Sequence, residues 1–482
     1  MPFRGTAKIM EVLIMSKGMR KKIAALLAAA MAATGLSACG SNESDTGGKG
    51  QDAGSGTEAK EEAGKTDSDK EGSGEGITIR LLTRMSGADS GTKLKEEVLK
   101  EFQEKYPGIT IQDESTNDSN SFTNQFKTDI ASGNVADIIQ WPGISIMKEY
   151  ADTGVFLDLT DLIAETPDVK DNVDATLLDM MELSSVGTEG TYALPINNQM
   201  EVFYYNKELF QKAGIEKTPE TWDEFYEVCD KLKESGVTPW VVGASNAWRV
   251  VHIQTGLLYK MCGVEKAKEL GGRKAKWTDE DVVETIAFIQ DLADRGIFGE
   301  DYLGLDYETE KAMFVSGQTA MSFDGSWRIA ELTDMEDNVG VFRMPYMSDR
   351  EEFKDNDIAY PSQLELGGHL KDEPEKLKYV WELACMFADK ETQQRYAYDC
   401  GNIPVRNDVE LDADKMSPLL SDLLEIKEKD VKVWGSDAWA YDTVAVLEDI
   451  VGEAFIGALT GMTADEAAEQ IQSRLEAAGS GQ

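Results

Sequence analysis

The run Ile77-Thr78-Ile79-Arg80-Leu81-Leu82 is followed by Leu94, Val98, Leu99, Phe102 and Tyr106 at helical spacing, and Pro107-Gly108 stops that pattern before Ile109-Thr110-Ile111. The first and last stretches read as strands and 92–106 as a helix. Two strands joined through a helix form a parallel crossover, which commits this part of the chain to an α/β sheet with helices packed on its faces. A second helical pattern over 122–132 ends at Gly133 and leads into a strand-like stretch at 136–140, with Trp141-Pro142-Gly143 directly beyond it. In open α/β sheets ligands sit in the crevice beyond such strand ends.

The middle and end of the chain continue in the same style without repeating the sequence. Extended segments are predicted at 191–195, 202–205 and 319–323. Helices are predicted at 207–213, 222–235, 282–295, 307–317, 377–388, 391–399, 444–459 and 463–477, with Pro219 and Thr221 as a helix entrance. No heptad or internal repeat is evident. A chain of 482 residues is long enough for more than one hydrophobic core.

The first 76 residues lack such patterns. Lys17, Arg20, Lys21 and Lys22 precede an Ala- and Leu-rich run over 23–34, which matches a signal-peptide core and is too short to span a membrane as a helix. Leu36-Ser37-Ala38-Cys39 closes the run and resembles a bacterial lipoprotein signal, in which Cys39 is the acylated first residue of the mature protein. Ordinary secretory cleavage near Ala38 is the alternative. After Cys39 a Gly/Ser/Asp/Glu/Lys tract without aromatic residues reads as an acidic tether. The chain carries 48 Lys and Arg against 89 Asp and Glu, a net charge of −41. Removing 1–38, which is rich in Lys and Arg, makes the remainder more acidic still. Such a surface argues against nucleic-acid binding and against membrane attachment through basic residues, leaving lipid as the anchor.

Cys229, Cys262, Cys385 and Cys400 show no CxxC spacing and no nearby His, so no zinc site is expected. Each reads as a buried thiol, although an exported location permits a bond between Cys385 and Cys400. Gly271-Gly272-Arg273-Lys274 lacks a phosphate-loop pattern, no convincing nucleophile elbow occurs, and no calcium loop is present. No cofactor, metal or catalytic residue is assigned.

Five short motifs then stand in a telling order: Tyr192-Ala193-Leu194-Pro195, Phe203-Tyr204-Tyr205-Asn206-Lys207, Gly317-Gln318-Thr319-Ala320-Met321, Gly325-Ser326-Trp327 and Gly401-Asn402-Ile403-Pro404-Val405-Arg406. The set resembles the extracellular solute-binding proteins of ABC importers, in their maltose-binding-like sugar branch (family 1). The resemblance implies a two-lobed, periplasmic-binding-protein-like α/β fold with a hinge and an interlobe cleft. With 1–38 read as signal peptide and 39–76 as lipidated cysteine and tether, it places 77–196 plus 363–410 in one lobe and 197–362 plus 411–482 in the other. Crossings are expected near Ile196-Asn197 and over 360–366. It further implies a monomer on the outer face of a Gram-positive cell membrane, with two transmembrane permease subunits and cytoplasmic ATPases as partners. Its ligand would be a carbohydrate.

A pyranose has apolar C–H faces and a rim of hydroxyls, so it asks for flat aromatics and for planar amides or carboxylates. Trp141, Trp248, Trp327, Trp434 and Trp439 lie in segments rich in Gly, Pro, Asn or Asp and read as loop platforms, whereas Trp222, Trp277 and Trp381 fit helical packing positions. Asp324 can receive two hydroxyls or can cap the turn through Ser326 and Trp327, and Gly325 can bring backbone close to ligand. The family often carries a stacking Trp at the position of Trp327. Asn197 and Asn198 at the expected hinge can touch hydroxyls from both lobes or hold the crossing strands. Glu365 is a further acceptor, and His369, Asn402 and Arg406 are weaker candidates. Five loop Trp residues favour an oligosaccharide. Two other readings are a surface-attached carbohydrate-active enzyme, with Asp324 and Glu365 as its carboxylate pair, and a sugar-sensing module that signals to a receptor.

Overall fold

The computed structural model describes residues 76–87, 89–140, 147–184, 187–359, 361–427, 432–435, 442 and 447–479. Cys39, the tether up to residue 75, Trp141, Tyr360, Trp439 and the side chain of Trp434 lie outside what is described.

The architecture is two-lobed α/β, each lobe built on its own sheet. The first sheet has five strands in the order β2-β1-β3-β10-β4: β1 (Thr78–Leu82), β2 (Thr110–Asp113), β3 (Ile138–Ile139), β4 (Leu194–Asn197) and β10 (Ser362–Leu366). β1 lies parallel to β2 and β3, as the crossover pattern requires, and β10 runs antiparallel to β3 and β4. The helix between β1 and β2, α1 (Ser90–Lys105), is capped by Asp89, whose Oδ1 accepts from the Thr92 amide at 2.8 Å. Its apolar stripe of Leu94, Val98, Leu99 and Phe102 is buried. α2 (Ser119–Ser132) ends at Gly133, whose φ of 68° is the left-handed cap that glycine accommodates. Much of the first core joins β1 and β10 to α1 and a later helix spanning Pro374–Phe387, where the rings of Tyr106 and Tyr379 meet edge to face at 5.1 Å.

The second sheet has the order β6-β7-β5-β8, from β5 (Glu201–Asn206), β6 (Thr238–Trp240), β7 (Thr319–Gly325) and β8 (Val339–Phe342). Phe203 on β5 is its packing centre, stacked on Phe342 at 5.0 Å and edge to face with Trp240 at 4.7 Å; such aromatic pairs contribute about 0.5–1.5 kcal/mol beyond buried area. Against this sheet lies α3 (Ala247–Cys262), in which every residue from Arg249 to Met261 is buried. α3 in turn packs on α4 (Glu280–Asp294) and on the C-terminal helices α5 (Leu447–Leu459) and α6 (Ala464–Gly479). A small parallel pair, β9 (Asn356–Ile358) with β11 (Lys432–Trp434), completes the strands among the described residues.

The chain leaves the first sheet at the end of β4 and reaches β5 after only three residues, Asn198 to Met200. It re-enters the first sheet at β10, where Ser362 pairs with Asn197. Single bridges between Asn198 and Ile403 and between Met200 and Ala359 bind the two passages into their surroundings. Cys229, Cys262, Cys385 and Cys400 are free thiols, and burial pushes those of Cys262 and Cys385 up to about 12.

Candidate functional site

Three half-buried aromatic side chains form a shelf at the end of the second sheet. Trp248 occupies the first turn of α3, Tyr307 opens the helix Tyr307–Val315, and Trp327 follows β7 at the start of a 3₁₀ stretch, Ser326–Asn338. Trp327 Nε1 donates to the Tyr307 hydroxyl at 2.8 Å, and the rings of Trp248 and Tyr307 meet edge to face at 4.9 Å. The indole of Trp327 lies against Gly325, where a Cβ would come within 1.9 Å of the ring. Gly325 has an ordinary extended backbone (φ −82°), so close approach, and not backbone strain, demands glycine there.

Beneath the shelf is an ion network whose centre is buried. Arg249 donates from Nε and Nη2 to the two carboxylate oxygens of Glu310 at 3.0 and 2.8 Å, and its Nη1 lies 3.5 Å from Asp324 Oδ1. Arg328 Nη1 donates to Asp324 Oδ2 at 3.0 Å and its Nε to Glu331 at 3.1 Å. Arg249, Glu310 and Asp324 are fully buried and Arg328 is 1% exposed. Burial opposes both guanidinium charges, but the carboxylates outweigh it and raise both pKa values. Burial and then the Asp324 charge push the Tyr307 phenol well above its ordinary value, so it stays protonated and donates to Asp324 at 3.2 Å while accepting from Trp327. The Arg249 guanidinium also lies 4.8 Å from the Trp248 ring centre and 5.1 Å from that of Tyr307. The network therefore fixes the tilt and depth of all three rings.

Buried amides line the passage between the sheets. The side-chain oxygens of Asn197, Asn198 and Asn402 have no hydrogen-bond partner among the described residues. A buried acceptor left in that state costs about 1–3 kcal/mol, so three of them grouped around one crossing mark a place where donors from outside are welcome. The passage is joined to the shelf by backbone: Ser326 donates its amide to Met200 O at 2.8 Å, and Glu201 stands opposite Gly325 in the β5–β7 ladder.

The sequence profile of the family described as bacterial extracellular solute-binding proteins matches residues 86–362, more than half of the chain. The chain belongs to this family. Its members bind solutes and are not catalysts. A multiple sugar-binding protein of Streptococcus mutans serotype c is 24% identical over 277 residues, which are 56% of this chain and 62% of that protein. An sn-glycerol-3-phosphate-binding periplasmic protein (UgpB) of Brucella abortus is 32% identical over 161 residues, 32% of this chain and 36% of that protein. The chain thus spans less than two thirds of the length of these sequence relatives. A solved chitin oligosaccharide binding protein superposes with a TM-score of 0.74 at 25% identity, covering 84% of this chain and 99% of that one. The fold is the bilobal periplasmic-binding-protein-like one.

Within this solute-binding protein the predicted residues fall into distinct settings. Trp248 and Trp327 meet through Tyr307; Trp248 stands on a helix and not in a loop, and the backbone of Trp434 is in β11. Asp324 shares the shelf region, but its oxygens are turned to Arg249, Arg328 and Tyr307 beneath the rings. Gly325 receives the Trp327 ring on its Cα, where sequence reading expected ligand. Glu365 is buried on β10 and accepts from Gln363 Nε2 at 3.1 Å. His369 Nε2 lies 2.9 Å from Asp137 Oδ1 in the first lobe. Arg406 is clamped by both oxygens of Asp168 at 2.8 and 2.9 Å and by Asp408, and holds the 402–406 loop. Among the described residues no group of three or more His, Cys, Asp or Glu is placed to hold a metal ion.

Sequence reading missed Arg249, Tyr307, Glu310 and Arg328, which build the support of the shelf, and Glu201 and His252 beside it. One signal was available: Asp324 and Arg328 are four residues apart, as are Trp248 and His252. The other pairings join distant segments and leave no local trace.

Proposed function

We propose that this protein is the substrate-binding component of an ABC sugar importer, capturing a carbohydrate, and specifically an oligosaccharide, between its lobes and delivering it to a membrane permease served by cytoplasmic ATPases. The juxtaposition of an aromatic shelf with unpartnered amide acceptors carries the reading. Flat rings offer apolar area to the C–H faces of a pyranose, and Asn197, Asn198 and Asn402 offer acceptors to its hydroxyl rim. The sugar-binding relative and the oligosaccharide-binding structure support the same ligand class.

Capture works by population shift. A ligand touching both lobes binds the closed form more tightly than the open one and moves the equilibrium by that difference. We place the hinge at 196–197 and 360–366, with 77–196 plus 363–410 in one lobe and 197–362 plus 411–482 in the other. Its support is the short β4-to-β5 passage and the Asn197–Ser362 pairing. We further propose that Cys39 is acylated and that the acidic tether holds the lobes above the outer membrane face. Palmitate labelling that persists after Cys39→Ala would refute the anchor.

The experiment for the function is a thermal-shift screen of neutral mono- to tetrasaccharides, with calorimetry on each hit and chromatography of the mixture after incubation. The reading predicts saturable binding, a raised melting temperature and an intact sugar. Absence of any sugar-induced shift, or appearance of hydrolysis products, overturns it.

A further inference from the structure

Glu201 begins β5 at the point where the passage between the sheets meets the shelf. Its carboxylate is fully buried, and His252 Nδ1 lies 2.5 Å from its Oε1. Despite that contact, neither carboxylate oxygen has a hydrogen-bond partner of good geometry among the described residues. Both members of the pair are bracketed by the shelf: the His252 ring meets Trp248 edge to face at 5.0 Å, and Glu201 stands opposite Gly325, on which Trp327 rests. A buried carboxylate with an open lone pair is a strong acceptor for a hydroxyl donor, because a hydrogen bond to an ionised group in a dry site exceeds a neutral one.

Among the fully buried side chains here the carboxylates of Asp324, Glu310 and Glu201 outnumber the guanidinium groups of Arg249 and Arg328, and His252 adjoins Glu201. At the rim, the 48% exposed Glu331 pairs with Arg328 and with Lys311, whose Nζ lies 5.0 Å from the Tyr307 ring centre. Three nitrogens of Arg249 are engaged by protein oxygens. Arg328 Nη2 has no partner among the described residues and, like Lys311 at the Tyr307 ring, favours an anion, but its guanidinium is 1% exposed and bonded to two carboxylates through its other nitrogens. A phosphate placed beside Glu201 would meet its buried carboxylate in a medium that screens it poorly.

Resting on the sugar-binding reading, we propose that Glu201, held by His252 between Trp248 and Trp327, accepts a ligand hydroxyl and, with the carboxylates behind the shelf, restricts this site to uncharged sugars, excluding phosphorylated ones. The proposal separates this chain in ligand class from the glycerol-phosphate-binding relative it resembles over a third of its length.

The test uses the full chain and calorimetry. The probes are the tightest binder among maltose, raffinose, xylobiose and N,N′-diacetylchitobiose, together with glucose 6-phosphate, sn-glycerol 3-phosphate and inorganic phosphate. Wild-type protein is expected to bind the neutral sugar at least about a hundredfold more tightly than any phosphate probe, since two like charges at close range in a poorly screened site oppose binding by several kT. Glu201→Gln keeps the shape and removes the charge; it is expected to weaken the neutral sugar about tenfold or more and to narrow the ratio between neutral and phosphorylated ligands. A defect in folding alone would weaken all probes together and leave that ratio unchanged, which counts against the proposal. Neutral-sugar binding unaltered in Glu201→Gln also overturns it while leaving the sugar-binding reading intact. Wild-type binding of a phosphate probe as tight as that of the neutral sugar assigns the site to Arg328 instead, and wild type that binds none of the neutral sugars overturns both readings.

Discussion

Asp137 in the first lobe and Asp324 in the second are both buried carboxylates at a sheet, and each joins two cationic or potentially cationic side chains. Asp137 stands just before β3 and takes His369 Nε2 at 2.9 Å and Lys376 Nζ at 2.7 Å. Those partners are 34% and 19% exposed, whereas the Arg249 and Arg328 side chains at Asp324 are 0% and 1% exposed. The first cluster is a clamp open to water and salt. The centre of the second, Arg249, Glu310, Asp324 and Arg328, is buried beneath an aromatic surface whose geometry it determines. The same pairing chemistry thus serves attachment in one lobe and preorganisation of a candidate site in the other.

Asp324→Ala is expected to have the largest effect, a loss of about 3–5 kcal/mol in denaturant unfolding, because it leaves two buried guanidinium groups without their shared carboxylate. A loss under 1 kcal/mol would mean that the centre of the network is not buried. Asp137→Asn should lose about 1–2 kcal/mol, since water can reach its partners and replace part of the interaction. That smaller effect should shrink further in 1 M salt, while the Asp324 effect should persist, because screening acts on exposed charge. Equal salt responses would erase the contrast.

The pH dependence sharpens the comparison. Burial alone would raise the Asp137 pKa, but His369, the Arg80 amide and Lys376 outweigh it and hold the carboxyl below its ordinary range. A lowered folded-state pKa gives stability that is complete above the unfolded value, near ~4, and is lost as pH falls through the folded one. Wild type should therefore lose stability below about pH 4 more steeply than Asp137→Asn. Parallel curves would contradict that assignment. The smallest effect is expected at the exposed Lys217–Glu224 pair, where Lys217→Ala should leave the melting temperature unchanged within error.

What could be read from sequence followed the physics of each segment. α1 showed itself because water on one side forces Leu94, Val98, Leu99 and Phe102 into a stripe. α3 stayed hidden for the opposite reason: it is buried on all sides from Arg249 to Met261, so it has no polar face to create a period. That concealment also explains why Trp248 read as a loop residue. The adjacency of Trp327 to Asp324 was legible as a motif, but the direction of Asp324 was not. It depends on Arg249, which is 75 residues away and reaches it only through the fold.

The central claim is that the shelf over this buried network is a sugar platform, and Trp327→Ala tests it most directly. Wild type and variant are titrated by calorimetry with the tightest sugar from the screen, and the melting temperature of each unliganded protein is recorded alongside. A half-buried ring hydrogen-bonded to Tyr307 contributes less to stability than a core tryptophan, whereas stacking contributes about 0.5–1.5 kcal/mol beyond the apolar area a sugar covers. The account predicts at least a several-fold loss of affinity with most of the stability retained. A variant that melts far earlier yet binds sugar with wild-type affinity in its folded fraction would contradict it, leaving Trp327 as packing alone.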